Sequence, residues 1–171
     1  PIPLPFNYQY EQSAVIYRIL AQVDTQYSSW LHENGYQLNG SKRFKLFCYS
    51  PFIFEKVRPL PEAGCLNIIG EKAVWYISFI PEKSTLEFIQ GIFAHQSFSI
   101  GNKKYQVAFD VVGVEAMPMP PLSEVMTFQA LSPICVKLHE ENKTQYLSPD
   151  NPMFADGILK GLKARYESIH G

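Results

Sequence analysis

Thirteen prolines, densest at Pro1–Pro5, Pro51–Pro61 and Pro118–Pro121, constrain this chain more than any other feature of its sequence. A proline has no amide donor, fixes its own φ and pushes the residue before it toward extended backbone, so helices are excluded from these stretches. Helical spacing appears only between them. Val15, Ile19 and Val23 recur at four-residue intervals with Ile16 and Leu20 beside them, which predicts an amphipathic helix from about Glu11. Asp24 and Thr25 are cap residues for a second, short helix over 26–33, and Asn34-Gly35 are the residues that best tolerate a left-handed stop. Ser84-Thr85-Leu86-Glu87 reads as a capping box ahead of Leu86, Ile89, Ile92 and Phe93. Asn151-Pro152 opens a last helix carrying Phe154, Ile158, Leu162, Tyr166 and Ile169.

Strand signals fill the rest. After a polar turn at Asn39-Gly40-Ser41, residues 44–49 alternate, with Phe44, Leu46 and Cys48 on one face and Lys45, Phe47 and Tyr49 on the other. Residues 65–69 and 73–80 read as a hairpin around Gly70-Glu71, and 98–100 with 105–114 as a second around Gly101-Asn102. Residues 125–131 and 134–138 are further strand candidates. The order predicts an α+β chain: a ferredoxin-like (RRM-like) domain over 1–117 that lacks its first strand, a Pro-rich linker at 118–121, and an incomplete second ferredoxin-like domain over 122–171. The chain starts at Pro1 rather than a methionine and stops at Gly171, so both ends are expected to be cut.

Composition narrows the function. A net charge of −1 makes the whole chain no magnet for nucleic acid or anionic lipid, so an RNA role must rest on a local patch. Cys48, Cys65 and Cys135 lack paired metal spacing and read as buried, reduced thiols. No apolar run of membrane-spanning length and no secretory signal is present, which predicts a cytoplasmic protein. No Gly-rich phosphate loop, Ser/His/Asp signature or metal cluster is visible, and no cofactor is expected.

Of the four histidines, His95 and His170 sit at predicted helix ends and His139 in the acidic turn His139-Glu140-Glu141-Asn142, all ordinary surface settings. His32 lies in the last turn of a short helix, with the cations Lys42, Arg43 and Lys45 close behind it. Tyr17 lies off the apolar stripe of the first helix. Each has a plain structural reading: a helix-end imidazole, a charged edge strand, a boundary phenol. Together they would suit metal-free RNA cleavage, in which a 2′-hydroxyl attacks its own phosphodiester with a base, a cation and an acid in attendance. Lys42, Arg43, Lys45, Lys56 and Arg58, interleaved with Phe44, Phe47, Tyr49 and Phe52, form the local basic patch; its aromatics either stack bases or fill the core.

Leu4–Tyr10 (LPFNYQY), Ser13–Tyr17 (SAVIY), Trp30–His32 with Gly35-Tyr36, and Arg43–Ser50 (RFKLFCYS) resemble the N-terminal half of the CRISPR-associated repeat endoribonucleases of the Cas-six family. Phe128–Ile134 (FQALSPI) and Tyr146–Asp150 (YLSPD) resemble that family's second domain. The resemblance implies tandem ferredoxin-like domains of the RAMP type. It also implies metal-independent cleavage of CRISPR repeat RNA to 2′,3′-cyclic phosphate and 5′-hydroxyl ends. Carried over by motif, it gives Tyr17, His32 and Lys45 as the catalytic residues, with Lys42, Arg43, Lys56 and Arg58 as RNA contacts. Roles vary within the family, so the resemblance does not divide the proton transfers between Tyr17 and His32. Expected partners are repeat RNA and other CRISPR effector subunits, with oligomeric state open, a dimer included. The alternative is a non-catalytic RNA-binding or scaffold subunit of an effector complex. The family's first strand and its closing Gly-rich loop are both expected to be missing from 1–171.

Overall fold

The computed structural model describes residues 2–38, 42–140 and 143–171, the side chain of Glu140 excepted. The expected turn at Asn39-Gly40-Ser41, and Glu141-Asn142 of the acidic turn, lie outside the described residues. The chain divides into two units, Pro1–Glu33 with Phe47–Thr127, and Asn34–Leu46 with Phe128–Gly171. The division differs from the expected boundaries at 117 and 122, because residues 34–46 group with the C-terminal stretch.

The first unit opens on a strand formed by the proline-rich segment itself, extended as its alternate prolines require. β1 (Ile2–Pro5) pairs antiparallel with β7 (Cys65–Ile68), Leu4 opposite Leu66. Ile2, Leu4 and Phe6 share one backbone parity, and the Phe6 N–H donates to the Gly64 carbonyl at 3.2 Å. Pro3 and Pro5 take the other parity, where no donor toward β7 is needed. On its far side β1 touches β10 (Ser97–Gly101) and β11 (Gln106–Asp110) without a ladder, its outward positions being prolines that have no amide to donate.

Helix α1 (Gln9–Val23) buries Gln12, Val15, Ile16, Ile19 and Leu20, the expected stripe except that Val23 is exposed. Asp24 ends α1 and caps α2 (Thr25–Glu33) through its carboxylate, which accepts the Tyr27 N–H at 2.8 Å. The stretch expected as one strand over 44–49 is broken, because Leu46 takes a left-handed φ of 54° with its side chain buried. It ends in the second unit as β3 (Lys42–Phe44) and resumes in the first as β4 (Phe47–Tyr49).

β4, β5 (Ile53–Phe54) and β6 (Val57–Leu60) pair in turn with β9 (Ile77–Phe79), β8 (Ala73–Val74) and β7. They form one long, interrupted hairpin that reverses at the 3-10 turn Pro61–Ala63. The expected hairpin around Gly70-Glu71 is therefore wrong. The Ile69 and Gly70 amides both donate to the Lys56 carbonyl at 2.9 Å, which makes that spot a bulge within a ladder.

Helix α3 (Glu82–Ala94) starts two residues ahead of the expected capping box. Ser84 does not cap it; its buried hydroxyl hydrogen-bonds to the Tyr27 hydroxyl instead. β10 (Ser97–Gly101) and β11 (Gln106–Asp110) form the expected second hairpin. Residues 111–135, including Pro118–Pro121, carry no regular structure, so the strand expected over 125–131 is absent.

In the second unit β2 (Tyr36–Leu38) pairs with β3 (Lys42–Phe44), and β12 (Val136–Glu140) with β13 (Lys143–Leu147). Helix α4 (Pro152–His170) packs on β2 and β12, capped by Asn151, whose Oδ1 accepts the Met153 N–H at 2.9 Å. Its expected apolar face is largely exposed at Leu162 and Tyr166.

The core of the first unit joins Leu4, Val15, Ile19, Phe52, Ile68, Ile92, Ile100 and Val107. Only a hydrogen side chain at Gly91 lets α3 lie this close to α1: a Cβ there would stand 2.4 Å from the Ile19 carbonyl oxygen. Gly91→Ala is therefore expected to cost about 1–3 kcal/mol, the range for overpacking a close contact. Denaturant midpoints would check this; a variant as stable as its parent would show that the two helices are not pressed together.

Candidate active site

Tyr17 and His32 come together. Tyr17 lies half-buried on α1 and His32 exposed in the last turn of α2, with ring centroids 4.9 Å apart and planes at 84°. Gly35, at φ 65°, ends that helix as the Asn34-Gly35 pair predicts. A helix of nine residues has no standing of its own, so the placement of His32 depends on what holds α2. Leu31 is fully buried. The Ser28 Oγ donates to the Tyr17 carbonyl at 2.8 Å, and the Tyr27 hydroxyl bonds to Ser84 of α3. Lys83 of α3 reaches Asp24 at 3.1 Å and lies 4.5 Å above the Tyr27 ring.

Tyr17 is fixed from its other side by Phe47, edge-on at 5.6 Å between centroids. Phe47 in turn touches Phe79 and Tyr49, so this aromatic is packing, not a free stacking surface. Burial, then the Tyr49 phenol, hold the Tyr17 hydroxyl above the ordinary phenol value of 10.0. It is a proton donor at neutral pH.

The pair borders an open depression lined also by Arg18, Ala21, Ser28, Ser29 and Glu33. Sequence reasoning missed Arg18 and Ser28. Ser28 stands one helical turn before His32, and that spacing was the available signal.

Lys45 belongs to the second unit, following β3, where it is half-buried. Burial, then the charge of Arg43, lower its ammonium from the ordinary lysine value of 10.5. The expected basic patch is likewise divided: Lys42 and Arg43 are exposed on β3 in the second unit, while Lys56 and Arg58 are exposed in the first. Of the cysteines only Cys65 is buried; Cys48 and Cys135 are exposed, against expectation. Among the described residues no group of three or more His, Cys, Asp or Glu could hold a metal, and no helix is long and apolar enough to cross a membrane.

The family profile described as "CRISPR-associated protein Cas6, N-terminal" matches residues 3–110, and "CRISPR associated protein Cas6, C-terminal" matches 117–171. A "CRISPR-associated endoribonuclease Cas6 1" of Methanocaldococcus jannaschii is 29% identical over 171 residues, covering 98% of this chain and 61% of the relative. A "CRISPR-associated endoribonuclease Cas6" of Pyrococcus furiosus is 24% identical, covering 98% and 59%. The chain thus spans about three fifths of the length of these relatives. A solved structure titled "An RAMP protein binding different RNA substrates" superposes with a TM-score of 0.77 at 25% identity, over 99% of this chain and 69% of the other. A "Cas6-related" protein of Pyrococcus furiosus superposes equally well, with a TM-score of 0.77 over 99% and 66%.

Tyr8, Tyr17 and Tyr49 are all raised above 10.0, burial being the main cause in each. Unfolded, these phenols ionise near their ordinary value; folded, they keep their protons to higher pH. Their contribution to stability is thus complete below pH 10 and is lost as pH rises through the folded values. Lys45, shifted down, has the opposite sign: its contribution is complete above the ordinary lysine value of 10.5 and is lost as pH falls through its lowered folded value. The melting temperature is expected to fall steeply above pH 10 and to fall less in Tyr17→Phe; equal slopes in the two proteins would contradict the burial of this hydroxyl.

Proposed function

The chain belongs to the Cas6 family of CRISPR-associated proteins, and from that membership we propose that it is an endoribonuclease cleaving CRISPR repeat RNA at the Tyr17–His32 pair. The single observation that carries this reading is the 4.9 Å contact between phenol and imidazole, brought from separate helices to the rim of one open depression.

In the proposed reaction the 2′-hydroxyl attacks the adjacent phosphorus. The new O2′–P bond forms as the P–O5′ bond breaks, leaving a 2′,3′-cyclic phosphate and a 5′-hydroxyl. His32 takes the 2′-hydroxyl proton. Tyr17, held protonated by burial, gives its proton to the departing 5′-oxygen. Lys45 stabilises the added negative charge on the phosphate. Lys42, Arg43, Lys56 and Arg58 hold flanking phosphates. No step in this scheme needs a metal ion.

On the same reading the first unit is a ferredoxin-like domain, supported by its order of strand, helices, long hairpin, helix and hairpin, and β12, β13 and α4 begin a second. Other effector subunits, or a second copy of the chain, are the expected protein partners. The second reading is an RNA-binding or scaffold subunit without cleavage.

A labelled repeat RNA from the source genome, incubated in EDTA, tests both readings. Cleavage is expected, and His32→Ala is expected to slow it by about 10²–10⁴-fold with RNA affinity held within a few-fold. A 2′-deoxy substitution at the cut must block it. A gel shift without cleavage would move the assignment to the second reading.

A further inference from the structure

The outward face of α1 carries a second aromatic that the cleavage scheme does not use. Tyr10 is 80% exposed, in a unit whose other tyrosines near the core, Tyr8, Tyr17 and Tyr49, are buried or half-buried. It stands seven residues before Tyr17, two helical turns, so both side chains leave the same face of the helix about 10 Å apart along the axis. Ala14 lies between them on that face. The core-facing residues Val15, Ile16, Ile19 and Leu20 hold the opposite side of α1 and fix the direction in which Tyr10 projects.

Tyr10 also borders a concavity of its own. That cavity, of about 130 Å³, is shared with Asn7, Glu11 and Asn102. The Asn102 Oδ1 is spent on the Lys104 and Tyr105 amides, each at 2.9 Å, so the end it can offer a ligand is its Nδ2 donor pair. The Glu11 side chain offers carboxyl oxygens as acceptors. A flat aromatic face beside a pocket with one donor side chain and one acceptor side chain is what an unpaired nucleobase needs: stacking on its π-face and hydrogen bonds to its edge.

We propose that Tyr10 and the adjoining pocket bind an unstacked base of the RNA strand, a nucleotide or more from the phosphate held at Tyr17 and His32. The assignment rests on the RNA-cleaving reading above. It makes the outer face of α1 a track, with a base platform at one end and the reacting pair two turns further on.

The test uses the full polypeptide and repeat RNA carrying 2′-deoxyribose at the cut, so that binding is read without cleavage. 2-Aminopurine is placed singly at each nucleotide flanking the cut. One position is expected to be quenched on binding to the parent protein and to Tyr10→Phe, which keeps the ring. Tyr10→Ala is expected to lose that quench and to bind about 5- to 150-fold more weakly, the range for losing one base–aromatic stack. Because Tyr10 is so exposed, its melting temperature should match the parent's. Parent-like affinity and quenching in Tyr10→Ala would overturn the proposal, and so would a Tyr10→Phe as weak as Tyr10→Ala. Parent protein that binds no repeat RNA would sink the underlying reading and this inference with it; parent protein that binds and cleaves while Tyr10→Ala behaves identically sinks the inference alone.

Discussion

Burial of one face of α1 sets the position of everything else in the first unit. Val15, Ile16, Ile19 and Leu20 are all nearly or fully removed from water, at about 1.5–3 kcal/mol each. A helix has only one orientation that satisfies such a stripe. With that side committed to Leu4, Ile68, Ile92 and Val107, the remaining face must carry Tyr10 and Tyr17 outward. The close approach of α3 at Gly91 locks the arrangement, since interiors this dense leave no room for a helix to roll.

The second helix is held differently. α2 is too short to persist by itself and buries little beyond Tyr27, Ser28 and Leu31. Its position comes from directed polar contacts: the Asp24 cap, the Ser28 bond to the Tyr17 carbonyl, and the Tyr27–Ser84 contact. Hydrophobic burial places the phenol, while hydrogen bonds place the imidazole.

The helices were legible in the sequence for local reasons. Four-residue apolar spacing, the Asp24 and Asn151 caps and the Gly35 stop all act within one or two turns of where they stand. Strand pairing was misread wherever a turn signal and a bulge use the same residues. Gly70-Glu71 resembles a hairpin turn, but the chain reverses at Pro61–Ala63, and which one closes depends on partners far along the chain. The opening prolines exclude a helix and hold the chain extended, and local sequence says no more than that. That Pro3 and Pro5 share one parity, and so spare the donors a strand needs toward β7, emerges only once β7 is known to be the neighbour.

By itself the sequence determined residue chemistry and short-range geometry: a phenol off an apolar stripe, an imidazole in a last turn, a lysine shortly before an aromatic, and family motifs in order around them. Tertiary structure decided which of these meet. Tyr17 and His32 are fifteen residues apart, and the turn at Asp24 folds their helices onto one another, a contact no local pattern encodes. It also decided that Leu46 would bend left-handed and end one strand before another begins, because a buried leucine at φ 54° is chosen by its surroundings and never by its own preference.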